Sequence, residues 1–199
     1  MKRYVSSVMP LLVFGLVFSA GAAFAAKEKG IKGMSQEEMI SVAKSAAPPQ
    51  ISDNATVLIP GPDNKLTEAK KGTNGFTCIA DLSGQEKPDP FCGDENATQF
   101  IMSMMNKEPR PANTAPGVGY MAQGGWHWEK DGRIVDPGTP GAKRIHEPPH
   151  WMILWPFESQ ATMIPTGPNK FGTYIMYDGT PYAHLMIYED PNKLGKAAK

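Results

Sequence analysis

Residues 149–155 read PHWMILW and residues 182–188 read YAHLMIY, and the two stretches share the pattern H-x-M-I. Each is a short apolar run rich in aromatic and branched residues, which is typical of a β-strand. Side chains alternate between the two faces of a strand, so one face of each run carries a histidine and a methionine while the other is apolar. Two such runs predict central strands of a sheet that is covered on both faces.

Four side chains on these strands form the first candidate site: His150, Met152, His184 and Met186. If the strands are neighbours in suitable register, opposed Cβ atoms lie about 5 Å apart and the four groups converge. Imidazole and thioether ligands together favour Cu(I), so copper is the cofactor that this pattern indicates. One alternative is a pocket for another small ligand. The other is a pair of buried histidines bonded to backbone or tyrosine, beside methionines that fill the core.

The stretch WHW at 126–128 supplies the second candidate, a ligand-binding surface. It precedes an Asp-Gly pair at 131–132 that favours a hairpin between residues 126–129 and 133–135. By alternation Trp126 and Trp128 share one face, where exposed rings could stack on a sugar or another flat ligand; if buried, they belong to the core. Tyr182, on the histidine face of the second strand, completes the ligand-binding candidates.

An enzyme is the alternative class of function. Residues 146–150 read HEPPH, which formally matches the zinc motif H-E-x-x-H. That motif requires a helix to place both histidines on one side, and consecutive prolines oppose a helix, so we expect residues 136–149 to be a loop. A hydrolase that uses His150 or His184 with Tyr182 in a pocket is the remaining enzymatic hypothesis, and no catalytic residue is assigned.

The first 25 residues have the pattern of a secretory signal peptide. Lys2 and Arg3 precede an apolar run at 11–18 and a small-residue site that predicts cleavage after Ala25. An uncleaved anchor is the alternative, although the run is short for a membrane span. We therefore expect a periplasmic or secreted protein whose mature chain has no transmembrane segment.

The mature chain is predicted to form one domain. Residues 26–33 form a flexible lead-in, residues 34–190 a single α+β domain and residues 191–199 a flexible tail. Cleavage leaves 18 basic and 20 acidic side chains, and this balance gives no bulk attraction to nucleic acid. The remaining partner classes are a small ligand or another protein.

Two helices are expected in the N-terminal half. Ser35 and Glu38 form a capping box for the first, which Pro48-Pro49 ends. Asp94 caps the second, which runs to about Lys107. The sheet should be mainly antiparallel and built largely from the C-terminal half.

Cys78 and Cys92 are the two cysteines of the chain. In an oxidising compartment a disulfide is expected between them. It closes a loop of about 15 residues, which stabilises the fold by about 3 kcal/mol in the chain-entropy account. A reactive thiolate at Cys92, just before a helix start, is the alternative.

Five stretches together are similar to a family of uncharacterised bacterial secreted proteins. They are NGFTC (74–78), DPFC (89–92), GVGYMAQGG (117–125), PPHWMI (148–153) and YDGTPYAHLMI (177–187). Members share N-G-[WF]-T-C, a second cysteine shortly after it, Y-M-x-x-G-G, P-H-x-M-I and G-T-P-Y-x-H-x-M. The resemblance covers roughly residues 50–188 and implies export and the paired cysteines, but no activity.

The sequence thus favours an exported protein that binds a small ligand or a metal without catalysis. The hydrolase is one alternative. A structural or interaction protein of the cell envelope is the other, and it predicts an exposed apolar patch.

Overall fold

The computed structural model describes residues 30–61, 63, 65–84 and 86–195. The predicted signal peptide lies outside the described residues, as do residues 26–29 of the lead-in and 196–199 of the tail. The helices are α1 (Gln36–Lys44), α2 (Pro49–Ser52), α3 (Glu95–Met105) and α4 (Ser159–Thr162), followed late in the chain by a 3₁₀ turn at Pro191–Lys193. The strands are β1 (Thr56–Pro60), β2 (Leu66–Lys70), β3 (Thr77–Ile79), β4 (Phe91–Gly93), β5 (Gly117–Met121), β6 (Trp126–Lys130), β7 (Arg133–Val135), β8 (Lys143–His146), β9 (His150–Leu154), β10 (Thr173–Met176) and β11 (His184–Ile187).

The fold is α+β, as predicted. One eight-stranded sheet has the order β10-β11-β9-β5-β4-β3-β1-β2, and a three-stranded sheet has the order β7-β6-β8. The pairing of β1 with β3 is parallel, whereas the other pairings in both sheets are antiparallel. Most strands of the described chain follow residue 100, although the N-terminal half supplies β1 to β4 of the large sheet.

Helix α1 begins as predicted, with a capping box between Ser35 and Glu38. It packs on β1, β3 and β4 and buries Ala43 against the face that contains Val57 and Cys78. The helix ends at Lys44, before the two prolines that were expected to stop it. Pro49 instead begins the short α2, since proline is well suited to a first helical turn, where its missing amide donor is not needed.

Helix α3 covers the opposite face of the sheet and confirms the predicted cap. The Asp94 carboxylate accepts a hydrogen bond from the Ala97 amide at 2.8 Å and another from Val118 of β5 at 2.9 Å. One side chain therefore caps the helix and fixes it to the sheet. Gly117 permits the close approach, because a Cβ there would lie 2.1 Å from the Ala97 amide nitrogen.

The disulfide between Cys78 and Cys92 is confirmed. The two residues face each other across β3 and β4, with a Cα–Cα distance of 3.9 Å, and both are fully buried. No helix in the described ranges is long and apolar enough to cross a lipid bilayer.

The predicted strands of the C-terminal half are present, and the Asp131–Gly132 turn forms the expected hairpin between β6 and β7. Both turn residues have positive φ, 51° and 73°, as a two-residue hairpin loop of this type requires. The loop predicted over residues 136–149 is wrong in part, because it contains β8. This strand reads KRIH, with one apolar side chain, and its backbone pairs with β6; it therefore lacks a hydrophobic signal.

Strands β9 and β11 are buried on one face instead of the predicted two. The histidine–methionine face is sealed beneath α3, whereas Trp151, Ile153, Leu185 and Ile187 on the other face are half-buried. The cause is the position of α1, which packs on β1, β3 and β4 at the other end of the sheet.

Gly117→Ala is expected to lower the free energy of unfolding by about 2 kcal/mol, because the new methyl group would displace α3 from β5. Urea denaturation measures this change. The control is Thr114→Ala, an exposed residue just before the same strand, which should change stability by less than about 0.5 kcal/mol. Equal stability of the two variants would contradict the close packing described above.

Candidate functional site

The structure places all four residues of the histidine–methionine site on one buried face of neighbouring strands. Met152 and Met186 are directly opposed across β9 and β11. The same register sets His150 opposite Tyr188 and His184 opposite Leu154. The imidazoles are therefore four residues apart along the sheet, about 13 Å at the usual strand rise. The methionines converge, and the histidines do not.

Each of these histidines is bonded to the backbone. Nδ1 of His150 donates to the Pro148 carbonyl at 2.8 Å, and Nδ1 of His184 donates to the Tyr182 carbonyl at 2.8 Å. Burial lowers the pKa of both imidazoles, that of His184 to about 4, so both are neutral at pH 7. This geometry agrees with the alternative of buried, backbone-bonded histidines.

Within the described ranges, no group of three or more His, Cys, Asp or Glu side chains is arranged to hold a metal ion. Copper binding stays a prediction.

The hydrolase hypothesis gains no support from this geometry, because His150 and His184 are 1% and 3% exposed and line neither of the two cavities described below.

Tyr182 anchors the chain between β10 and β11 to α3. Its hydroxyl donates to the Glu108 carbonyl at 2.9 Å, and its ring meets Phe100 edge-on at 5.3 Å between centroids. It also lines neither cavity. Neither cavity therefore provides space for a ligand beside Tyr182, and its ligand-binding role stays a prediction.

Trp126 and Trp128 share one half-buried face of the small sheet, as alternation predicted. The Arg144 guanidinium lies 4.3 Å from the centre of the Trp126 ring, and the His146 ring meets it edge-on. Trp126 borders a cavity of about 240 Å³ together with Lys87, to whose carbonyl its indole nitrogen donates. Because protein groups already contact its ring, Trp126 offers limited surface for a stacked sugar.

A buried polar cluster lies where the small sheet meets the large one, and sequence analysis did not find it. Its centre is Glu147, which is 3% exposed. The carboxylate accepts hydrogen bonds from the hydroxyls of Tyr174 and Tyr188. His127 approaches it with Nδ1 at 3.2 Å, and the other imidazole nitrogen lies 3.6 Å from Glu129.

The cluster holds a buried ion pair between His127 and Glu147. Burial alone would raise the pKa of Glu147, but contacts with His127 and Tyr174 outweigh it and lower the value to about 2. Burial alone would lower the pKa of His127, but the carboxylates of Glu147 and Glu129 outweigh this effect and raise the pKa. Neither imidazole nitrogen makes a hydrogen bond of good geometry, so the attraction is mainly between charges.

The larger of these two cavities has a volume of about 850 Å³. It is open to solvent on one side and is bordered by residues 30–34, the β1–β2 hairpin, the loop after β3 and the end of α3. Its wall is mostly apolar: Ile31, Met34, Met39, Leu66, Leu82 and Met105. Its charged residues are Lys32, Asp81 and Glu86.

Asp81 belongs to a carboxyl pair with Asp89 in the loop between β3 and β4. The two residues are 5% and 4% exposed. Oδ1 of Asp89 accepts hydrogen bonds from the amides of Leu82 and Ser83 at 3.1 and 3.0 Å. The amide of Ser83 also donates to Asp81, as does that of Gly84. Burial and a hydrogen bond to Asp81 raise the pKa of Asp89 to about 8.

Comparisons of the chain with known protein families, with curated proteins and with solved structures found no match. The resemblance to secreted bacterial proteins stays a prediction.

Glu147→Gln is expected to lower the free energy of unfolding by about 3 kcal/mol or more, because it leaves the buried His127 without its counter-charge. Glu129→Gln is the matched control, since it alters the carboxylate at the other nitrogen of the same ring. Glu129 is partly exposed, so its loss should cost less than about 1 kcal/mol. Equal costs in urea denaturation would contradict a buried ion pair.

The stability difference between the wild type and Glu147→Gln should depend on pH. The folded-state pKa of Glu147 is about 2 instead of 4.5, so its contribution is lost as pH falls below about 4.5. The folded-state pKa of His127 is raised above 6.5, so its contribution is lost as pH rises through that higher value. The difference should be largest between about pH 4.5 and 6.5. A difference that stays constant from acid to alkaline pH would contradict the assignment.

Proposed function

We propose that this protein is a non-catalytic binding module, exported to the periplasm or secreted, that holds one small apolar molecule in the 850 Å³ cavity. The observation that carries the proposal is the cavity itself. Ligand pockets for small molecules have volumes of about 300–1,000 Å³, mostly apolar walls and a few convergent polar groups. The cavity has all three properties.

The wall suits an apolar ligand of variable shape. Three methionines line it, Met34, Met39 and Met105, and the flexible, polarisable thioether adapts to different contours. Met105 is 37% exposed, which places part of the wall next to solvent. A bound molecule would remove this apolar surface from water, and that burial favours binding by about 25 cal/mol per Å².

The last residues of the predicted lead-in contribute to the wall. Ile31 is 9% exposed, and a turn from its carbonyl to the Met34 amide precedes α1. The disulfide also restrains one side of the cavity, because it joins β3 to β4, the strands on either side of the loop that carries Asp81. An exported location would keep that bond oxidised.

Wild-type protein is expected to bind one equivalent of N-phenyl-1-naphthylamine, an uncharged probe whose fluorescence rises in apolar surroundings. Met34→Trp combined with Met105→Trp should weaken binding at least about tenfold, because the larger rings fill the cavity and overlap the ligand. Fluorescence titration gives the dissociation constants, and thermal unfolding shows that the variant is folded.

The control combines Met163→Trp with Phe171→Trp. These residues are 86% and 75% exposed and do not line the cavity, so the control should bind the probe like the wild type. If the wild type binds no stoichiometric probe, or both variants bind it equally, the proposed function is wrong.

A further inference from the structure

The outer face of the small sheet combines two tryptophans with several cations. His127 of β6 faces the buried Glu147, so the alternate residues of this strand face away from the core. The register of β6 with its two neighbours completes this outer face, which we call the aromatic–cationic face. Its members are Trp126, Trp128 and Lys130 of β6, Arg133 and Val135 of β7, and Arg144 and His146 of β8. No acidic residue occupies any of these positions.

Trp128 lies at the centre of this face and has an available ring. It is half-buried and belongs to neither hydrophobic cluster of the described residues. Within the same residues its ring contacts no other ring or cation, and its indole nitrogen makes no hydrogen bond. Trp126 differs, because Arg144 and His146 already contact its ring. Trp128 therefore presents a flat apolar surface with an unused donor, a combination that suits a binding surface.

Lys130 and Arg133 leave positive charge uncompensated on this face. They are directly opposed across β6 and β7, and both are exposed. Like charges at opposed positions of two strands are destabilising. Asp131 lies in the turn between them, but neither cation forms an ion pair with any residue that the structure describes. An anion bound beside the two side chains would remove this repulsion.

The smaller cavity adjoins the same face. Its volume is about 240 Å³, and its lining contains Trp126, Arg144 and Lys87 together with one acid, Glu86. Arg144 belongs to both the cavity and the face, since it is opposed to Trp128 and its guanidinium lies over the Trp126 ring. Cations therefore lie on two sides of Trp128, about 5 Å away across the strands and about 7 Å away along β6.

We propose that the aromatic–cationic face binds an acidic polysaccharide, in which one sugar ring stacks on Trp128 and uronate carboxylates bind Arg133 and Arg144. One side of a pyranose ring is made of C–H groups, and it packs against the plane of an indole. Guanidinium groups match carboxylates through two parallel hydrogen bonds. Lys130 adds a further positive charge beside the same ring.

A nucleic acid fits this face less well. Single-stranded nucleic acid also stacks on aromatic rings, but its affinity comes largely from many phosphate contacts, and the cations of this face are few. The site is separate from the 850 Å³ cavity, because the two cavities share only Glu86 among their lining residues. This proposal therefore does not depend on the proposed function.

The test compares trigalacturonate with its fully methyl-esterified form and with a short oligothymidylate. Isothermal calorimetry at pH 7 measures the affinity of each for the wild-type protein. Trigalacturonate should bind at least about tenfold more tightly than the ester, which keeps the sugar rings and loses the charges. Its affinity should fall when the salt concentration rises from about 0.05 M to about 0.5 M. The oligothymidylate should bind more weakly than trigalacturonate.

Two variants separate the charges from the ring. Lys130→Gln combined with Arg133→Gln should weaken the binding of trigalacturonate at least about tenfold, because both carboxylate-facing charges at the hairpin are lost. Trp128→Ala should weaken the binding of trigalacturonate and of its ester alike. The control combines Lys71→Gln with Arg110→Gln, which removes the same two charges from exposed positions outside the small sheet. The control should bind trigalacturonate like the wild type.

Four results would overturn the proposal. They are no binding of trigalacturonate, equal affinity for trigalacturonate and its ester, equal losses in the charge variant and its control, and tighter binding of the oligothymidylate. None of them bears on whether the larger cavity binds N-phenyl-1-naphthylamine, so the two proposals fail separately. If Trp128→Ala does not fold, the exposed charge variants and the comparison with the ester still decide.

Discussion

The cross-strand bond between Cys78 and Cys92 is the constraint on which the rest of the structure depends. It joins β3 to β4, and these strands connect the β1–β2 hairpin to the four strands on the other side of the large sheet. The bond also closes the loop that carries the carboxyl pair. Holding the loop ends together reduces the conformational freedom that the loop loses on folding. The cavity wall and the middle of the sheet therefore share one covalent support.

Two buried acids in this molecule are stabilised by opposite means. Glu147 stays ionised because His127 and two tyrosine hydroxyls surround it, so its charge is compensated within the protein. Asp89 lies beside another acid, Asp81, and accepts hydrogen bonds from two backbone amides and the Ser83 hydroxyl, and its burial raises its pKa to about 8. Whether a cationic side chain lies within reach decides between these outcomes.

Much of the fold could be predicted from local patterns. Ser35 and Asp94 sit where capping chemistry expects them, Asp131–Gly132 forms the turn that its residues favour, and period-two alternation identifies β9 and β11. These local patterns did not predict β8, because it is mostly polar, or β4, because it is too short to show an alternation. It also could not show that Asp81 and Asp89 meet across their loop or that Glu147 meets His127. Such contacts depend on which strands become neighbours, and the sequence of one strand does not contain that information.

The central claim is that a small molecule occupies the cavity between residues 30–34 and the loop after β3. Methionine-methyl NMR tests it most directly, because Met34, Met39 and Met105 line this cavity. Titration with N-phenyl-1-naphthylamine should shift the methyl signals of Met34, Met39 and Met105 to a plateau at one equivalent. The signals of Met152 and Met186, in the core beneath α3, should stay in place. Shifts confined to the core methionines, or no shift at all, would contradict the account.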